Sequence, residues 1–572
     1  METTLISTVV LIAALAATDP EPTRQSIYES PADPTPRGKI DELVFGQLKQ
    51  LGIAPARLCS DGVFVRRVYL DVIGTLPSAE EAKAFLEDRS PDKRSVLIER
   101  LLEREEFADY WAMKWSDLLR IKAEFPINLW PNAAQSYHRW IRTSIQRNLP
   151  YDRFVREMLT ANGSNFRVPQ VNFYRAVQNR EPQGIAQAVA LTFMGARAEK
   201  WPNQRWSGMA AFFSQISYKA TGEWKEQIVF YDEVKARAQG DDQGAKEAVL
   251  PDGTRVRLSP DRDPRAVFAD WLVAPQNPWF ARSIVNRVWS WLQGRGIIHE
   301  ADDIRPDNPP GNPELLAYLE QELVRARYDL KHLYRLILNS ATYQLSPIPR
   351  SEKPEAVAHF AFYPLRRLEA EVLIDALCQI TGTTEQYSSI IPEPFTYIPE
   401  GHRSIALPDG SITSSFLEQF GRPSRDTGLE SERNNRLTAD QRLHLLNSSH
   451  IRDKIAHGPK LKSLLPPEPK TPQNPKPEAR GKRPKGAKPQ SPSRVGSKTD
   501  AVSRQQAEAQ AAASAHKEIV TRYYLVILSR FPSEEELKLV AAHSPPRRGA
   551  WREGPTDLAW CLINSSEFLC RH

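Results

Sequence analysis

Apolar residues recur at helical spacing along most of the chain. Phe64-Val-Arg-Arg-Val-Tyr-Leu-Asp-Val-Ile73 reads as a helix stopped by Gly74. Ser78-Ala-Glu-Glu81 is a capping box opening the next helix, and Ser90-Pro91 supplies an N-cap followed by proline at the first helical position. Leu97, Leu101, Leu102, Phe107, Trp111 and Trp115 then keep the period, as do Tyr137 to Ile145 and Tyr151 to Leu159. The period changes between residues 225 and 260, where Gln227–Tyr231 and Thr254–Leu258 read as short strands, the second after a Pro251-Asp-Gly253 turn. Helical spacing returns at Asp263-Pro264 and continues through Trp271, Phe280, Ile284, Trp289 and Trp291, then through Leu315–Leu319 and Leu333–Ile337. Arg366–Ile380 is expected to be helical, a Pro/Ser/Thr-rich segment follows to about Ser424, and Arg436–Ile455 is expected to be helical again. Residues 466–503 hold almost nothing to bury and predict a disordered, extended linker. A helical tail resumes at Ala507.

These patterns predict a mainly α fold: a multi-helical body of two domains, 39–231 and 263–465. A small β insertion lies near 225–260, and a C-terminal segment, 507–572, completes the second domain beyond the linker. No repeat of 20–50 residues is apparent. The chain of 572 residues carries a net charge of +6. Nine basic residues face three acidic ones between Pro466 and Asp500, so the rest of the chain is balanced. The basic linker lacks aromatic residues for base stacking, which argues against nucleic acid and for a tether or a contact with an acidic polymer. Residues 1–17 carry an apolar run, Leu5–Ala17, and an Ala14-Leu-Ala16 cleavage pattern, the signature of a secretory signal peptide. No later segment is apolar enough to span a membrane, so the expected location is the periplasm or cell envelope. Four cysteines (59, 378, 561 and 570) are too few for a disulfide scaffold and have no metal-ligand spacing.

Catalytic signatures are scarce. There is no G-x-S-x-G or H-E-x-x-H, and Gly294-Arg-Gly296 lacks the third glycine of a dinucleotide loop. Gly481–Lys488 mimics a phosphate loop but has alanine before the lysine. Asp302, Asp303, Asp307 and Asn308 form an oxygen-rich group that hard cations would suit, but calcium-loop spacing is absent and Arg305 can neutralise a carboxylate, which favours a salt-bridged loop without metal. Glu430 and Glu432, with Arg433, form a second candidate acid–base group, for which a charged helix start is the competing reading. Arg66, Arg67, Tyr69 and Asp71 read as structural, and the thirteen tryptophans read as core.

Several stretches carry a resemblance. Phe64 to Ser78, together with Leu149 to Gly163, resembles domain of unknown function 1549, a planctomycete cytochrome-associated domain. Phe268-Ala-Asp-Trp-Leu, Asn286-Arg-Val-Trp289, Gly294–Ile298, Arg305–Pro310 and Leu338–Tyr343 are similar to its usual partner, domain 1553. The resemblance implies an exported, mainly helical protein with no established activity, often carrying c-type haem and encoded beside sulfatase-like proteins. This chain departs from that pattern. Where relatives carry C-x-x-C-H it reads Gly195-Ala-Arg-Ala-Glu-Lys-Trp-Pro-Asn-Gln-Arg-Trp206, and where they carry C-E-C-E-R it reads Leu429-Glu-Ser-Glu-Arg433. Covalent haem needs two thiols and an axial histidine, so no cofactor is expected. The expected function is a non-haem binding or scaffold component of the envelope with a protein partner, a sulfatase-like neighbour being the one implied by resemblance. The alternatives are an extracellular hydrolase acting on polysaccharide through the carboxylates and arginine, and a redox protein related to the cytochrome-associated members.

Overall fold

The computed structural model describes residues 26–238, 246–259, 261–465, 498–543 and 553–572. The expected signal peptide and most of the expected linker lie outside them. Helix accounts for 54% of the structure and strand for 6%, so the fold is mainly α, with small sheets only.

Helix ends follow the local chemistry. Ser78 and Glu81 form the expected reciprocal cap, with Glu81 N donating to Ser78 Oγ at 3.1 Å and Ser78 N donating to Glu81 Oε2 at 2.8 Å. Ser90 does not cap. Its amide and hydroxyl both donate to Asp88 Oδ1, and the helix begins at Lys93. The expected helix from Arg366 starts only at Ala370, because Arg366 and Arg367 pair as a short strand with Arg571 and Cys570. The expected helix 436–455 is two helices, Ala439–Asn447 and Ser449–His457, each opened by a hydroxyl cap from Thr438 or Ser448. The C-terminal helix begins at Lys498, inside the segment expected to be extended, as the alanine- and glutamine-rich run after Ser503 favours helix.

Both expected strands form. Gln227–Tyr231 lies between Ile216–Ala220 and Gly163–Ser164 in an antiparallel sheet, and Arg255–Leu258 pairs with Lys246–Val249. Ile216–Ala220 went unread in the sequence because its exposure rises steadily from the buried Ile216 to the exposed Lys219 and Ala220 instead of alternating.

One continuous hydrophobic cluster runs from Ile40 to Leu569, with Trp111, Trp115, Trp289 and Trp291 in it. Buried polar ties also cross it. The buried Asp41 carboxylate accepts from the amides of Arg37, Ala341 and Thr342 and from the Thr342 hydroxyl, all within 2.9 Å. Arg66 donates to the carbonyls of Ile527 and Phe568, and Arg67 to those of His572, Tyr343 and Leu345. Asp71 accepts from the hydroxyls of Tyr343 (2.9 Å) and Tyr363 (2.7 Å). Tyr69 is buried, under the Arg104 guanidinium. Among the described residues, no helix is long and apolar enough to cross a membrane.

Asp41→Ala strands two buried amides and a hydroxyl between residues far apart in sequence. It should lower unfolding free energy by about 3 kcal/mol, measured by denaturant titration, in a single transition shared by far-UV and tryptophan signals. Two separate transitions would show that the halves fold independently.

Candidate functional site

A cleft of ≈720 Å³ opens between the Glu105–Leu118 helix, the end of the Phe280–Gln293 helix, the strand Arg366–Arg367 and the turn 430–436. Lys114 and Asp117 stand three residues apart on the first helix, a spacing that puts both on one face. Lys114 Nζ lies 2.5 Å from Glu369 Oε1, and burial holds its pKa below the ordinary lysine value. Arg366 donates to the carbonyls of Trp291 and Leu292, closing the end of the Phe280–Gln293 helix. Gly294 follows in the left-handed region, φ 76°, and a Cβ there would sit 2.5 Å from Arg366 Cδ. Asn286 then fixes the 294–298 loop by exchanging hydrogen bonds with the backbone of Ile298.

The sequence candidates divide. Asp302, Glu430 and Arg433 all line the cleft; Glu432, Asp303 and Asp307 are absent from its lining. Asp302 is a strut: Oδ1 lies 2.7 Å from Arg287 Nη2, and Oδ2 accepts the Glu430 amide at 2.7 Å. Arg433 bridges Asp117 (2.7 Å) and Glu371 (2.6 Å), and Arg425 pairs with the other oxygen of Asp117 (2.9 Å). Glu432 folds back onto its own loop, accepting from Ser424, from the amides of Asp426 and Thr427, and from the Thr427 hydroxyl. Burial would raise its pKa, but those hydrogen bonds hold it below the ordinary value. Asp303 pairs with Lys200 and Arg305, and Asp307 with Arg305, which is the salt-bridged loop the spacing favoured. Rather than a helix start, residues 430–432 form one 3-10 turn.

Glu430 is the exception. It is half-buried in the cleft wall, and its carboxylate makes no ion pair among the described residues. Burial, with the negative charge of Asp302 beside it, pushes its pKa up to about 7. A carboxyl balanced between its two forms near neutrality can donate or accept a proton. Arg295, His299 and Arg436 also line the cleft without a side-chain hydrogen bond or ion pair among the described residues, and Glu300 lies no closer than 4.0 Å to Arg197. Sequence reasoning missed Lys114, Asp117, Arg295, His299, Arg366, Arg367 and Glu369. The available signal was Lys114 and Asp117 set among the aromatic positions of a buried helix, where charge is costly unless used.

The two stretches that depart from the cysteine patterns meet beside Asp302 and Asp303, through Lys200–Asp303 on one side and Glu430–Asp302 on the other. In the first stretch Glu199 accepts from Gln187, and the Arg205 guanidinium lies 4.1 Å from the Trp201 ring centroid. With neither thiol nor imidazole, residues 195–206 do not fit a covalently held haem. The four cysteines are free thiols, and among the described residues no three His, Cys, Asp or Glu side chains gather at a metal-binding distance.

The folded Glu430 carboxyl keeps its proton to about pH 7, whereas an unfolded glutamate releases it near pH 4.3, so stability is lost as pH rises between those values. Glu430→Gln should therefore match the parent below pH 4 and exceed it by about 1 kcal/mol above pH 7, the linkage discounted for solvent in the cleft. Unfolding at pH 4 and pH 8 checks this; an unchanged difference would mean an ordinary titration.

No curated protein and no solved structure matches the chain. Residues 39–217 match the family PSCyt2, protein of unknown function (DUF1549), and residues 264–544 match PSD1, protein of unknown function (DUF1553). With the two matches in this order and covering most of its length, the chain belongs to the two-domain family in which DUF1549 is followed by DUF1553.

Proposed function

We propose that the chain is an exported cell-envelope protein that acts as a non-haem binding component, holding a polar ligand in the central cleft. The observation that carries this reading is the contrast between the groups that build the cleft and those that face it. Lys114, Asp117, Asp302, Glu369 and Arg433 are committed to internal ion pairs at 2.5–2.7 Å, while Arg295, His299, Glu430 and Arg436 are not. A rigid charged frame around uncommitted donors and acceptors is the arrangement that binds a polar ligand without reorganising. The apolar run and cleavage pattern of residues 1–17 support export.

Hydrolysis of a polysaccharide is the second reading, favoured by Glu430 alone. A carboxyl titrating near neutrality serves as a general acid, and Glu300 and His299 line the same cleft as candidate bases for a water. Asp302 is not available as the second carboxylate, since both its oxygens are engaged.

The test is a thermal-shift screen of the full chain against soluble oligosaccharides, polyols and small organic acids, each ligand that shifts the protein being followed for turnover. A ligand at a hundredfold excess over its Kd should raise the midpoint by a few degrees. Ligand recovered intact supports binding, and cleavage that Glu430→Gln abolishes supports hydrolysis. A screen with no shift at all would overturn both.

A further inference from the structure

Pairing off the charges in the cleft wall leaves an imbalance. Lys114 is satisfied by Glu369, Asp117 by Arg425 and Arg433, Asp302 by Arg287, and Arg433 also by Glu371. Three guanidinium groups remain without a carboxylate within ion-pair distance among the described residues: Arg295, Arg367 and Arg436. Arg367 is enclosed. It is 5% exposed, and its Nε and Nη2 donate to the carbonyls of Asn435, Phe420 and Asn434. Its Nη1 is buried and has no acceptor. That atom is enclosed, so the guanidinium groups open to a ligand in the cleft are those of Arg295 and Arg436.

Opposing carboxylates limit how much charge can enter. Glu300 and Glu430 face the space, and Asp302 and Glu369 lie in its wall. A singly charged planar or tetrahedral oxyanion suits two guanidinium groups, while a dianion would meet repulsion from these carboxylates. The rest of the lining is mixed: Ser290, Ser431, Asn434 and Asn435 offer partners for hydroxyl groups, and Leu118, Trp291, Ala301 and the exposed Leu365 offer apolar surface for a sugar face.

Resting on the binding reading above, we infer that the cleft takes an acidic saccharide, its carboxylate or sulfate ester seated against Arg295 and Arg436 and its hydroxyl groups against Ser431, Asn434 and Glu430. The inference names the ligand class and requires no chemical step.

The experiment is calorimetric titration of the full chain with four probes: a disaccharide carrying one uronate, a monosulfated disaccharide, neutral maltotriose and inorganic phosphate. At least one of the two acidic saccharides should bind ten times or more tightly than maltotriose, and that preference should weaken with added salt. Arg436→Ala and Arg295→Ala, both away from the buried core and checked for fold by circular dichroism, should each reduce acidic-saccharide affinity about tenfold. Which acidic probe binds distinguishes carboxylate from sulfate. Maltotriose binding as tightly as the acidic probes would overturn the inference and leave the binding reading standing. Phosphate binding as tightly as the saccharides would overturn the assignment to a sugar. Acidic binding undiminished in both arginine variants would place the site elsewhere. No heat with any probe would overturn the inference, while a thermal shift with another polar ligand would still uphold the binding reading.

Discussion

Glu369 is almost wholly enclosed, with one carboxylate oxygen against Lys114 at 2.5 Å and the other against Arg571, and with the Tyr110 hydroxyl beside it at 3.3 Å. Arg571 continues to Asp71 at 3.4 Å, and Asp71 to the hydroxyls of Tyr343 and Tyr363. Residues from five separate parts of the sequence are thereby held by one another's charge. Buried ions are tolerated only when paired and hydrogen-bonded, and removing one partner of such a pair costs about 3–5 kcal/mol. The network therefore admits few arrangements. It seats the C-terminal strand against Arg366–Arg367 and fixes the floor of the cleft through Lys114 and Glu369. Acidic pKa values follow: opposing burial, Arg571 and Lys114 hold Glu369 well below the ordinary carboxylate range.

The turn 425–436 depends on a second knot of the same kind. Arg425 and Arg433 clamp Asp117 from either end of the turn, and Arg433 also grips Glu371 on the Ala370–Thr381 helix. Arg425 is left-handed at φ 61°, a conformation that costs a non-glycine residue energy and that these buried contacts hold in place. With both ends fixed and the Glu430 amide tied to Asp302, the Glu430 side chain has one place to go, into the cleft wall.

The sequence made the helices legible because periodicity and caps are local. Ser78-Ala-Glu-Glu81 specified its own helix start, and Pro251-Asp-Gly253 specified its hairpin turn. What failed was decided at a distance. Arg366 and Arg367 carry no strand signal of their own, and they are extended because residues some two hundred positions later pair with them. The candidate site shows the same division. Glu430, Glu432 and the 302–308 group were visible as dense polar runs, but a run cannot say which member is already satisfied. Arg295 was visible only as the middle of a failed glycine motif, and Arg367 only as a charge at the start of a supposed helix.

Neutrality of the chain outside its basic linker acquires a different meaning in three dimensions. Equal numbers of acidic and basic residues could be spread over a surface, where ion pairs are worth little. Here many are instead paired in shared interior networks, against which an unpaired carboxyl stands out. Glu430 and Glu432 are two residues apart in one turn, yet Glu432 is saturated by Ser424, Asp426 and Thr427 while Glu430 has only its amide engaged. The ion-pair framework around it makes no structural use of the Glu430 carboxyl. A carboxyl that costs stability and holds nothing together is a candidate for function rather than architecture.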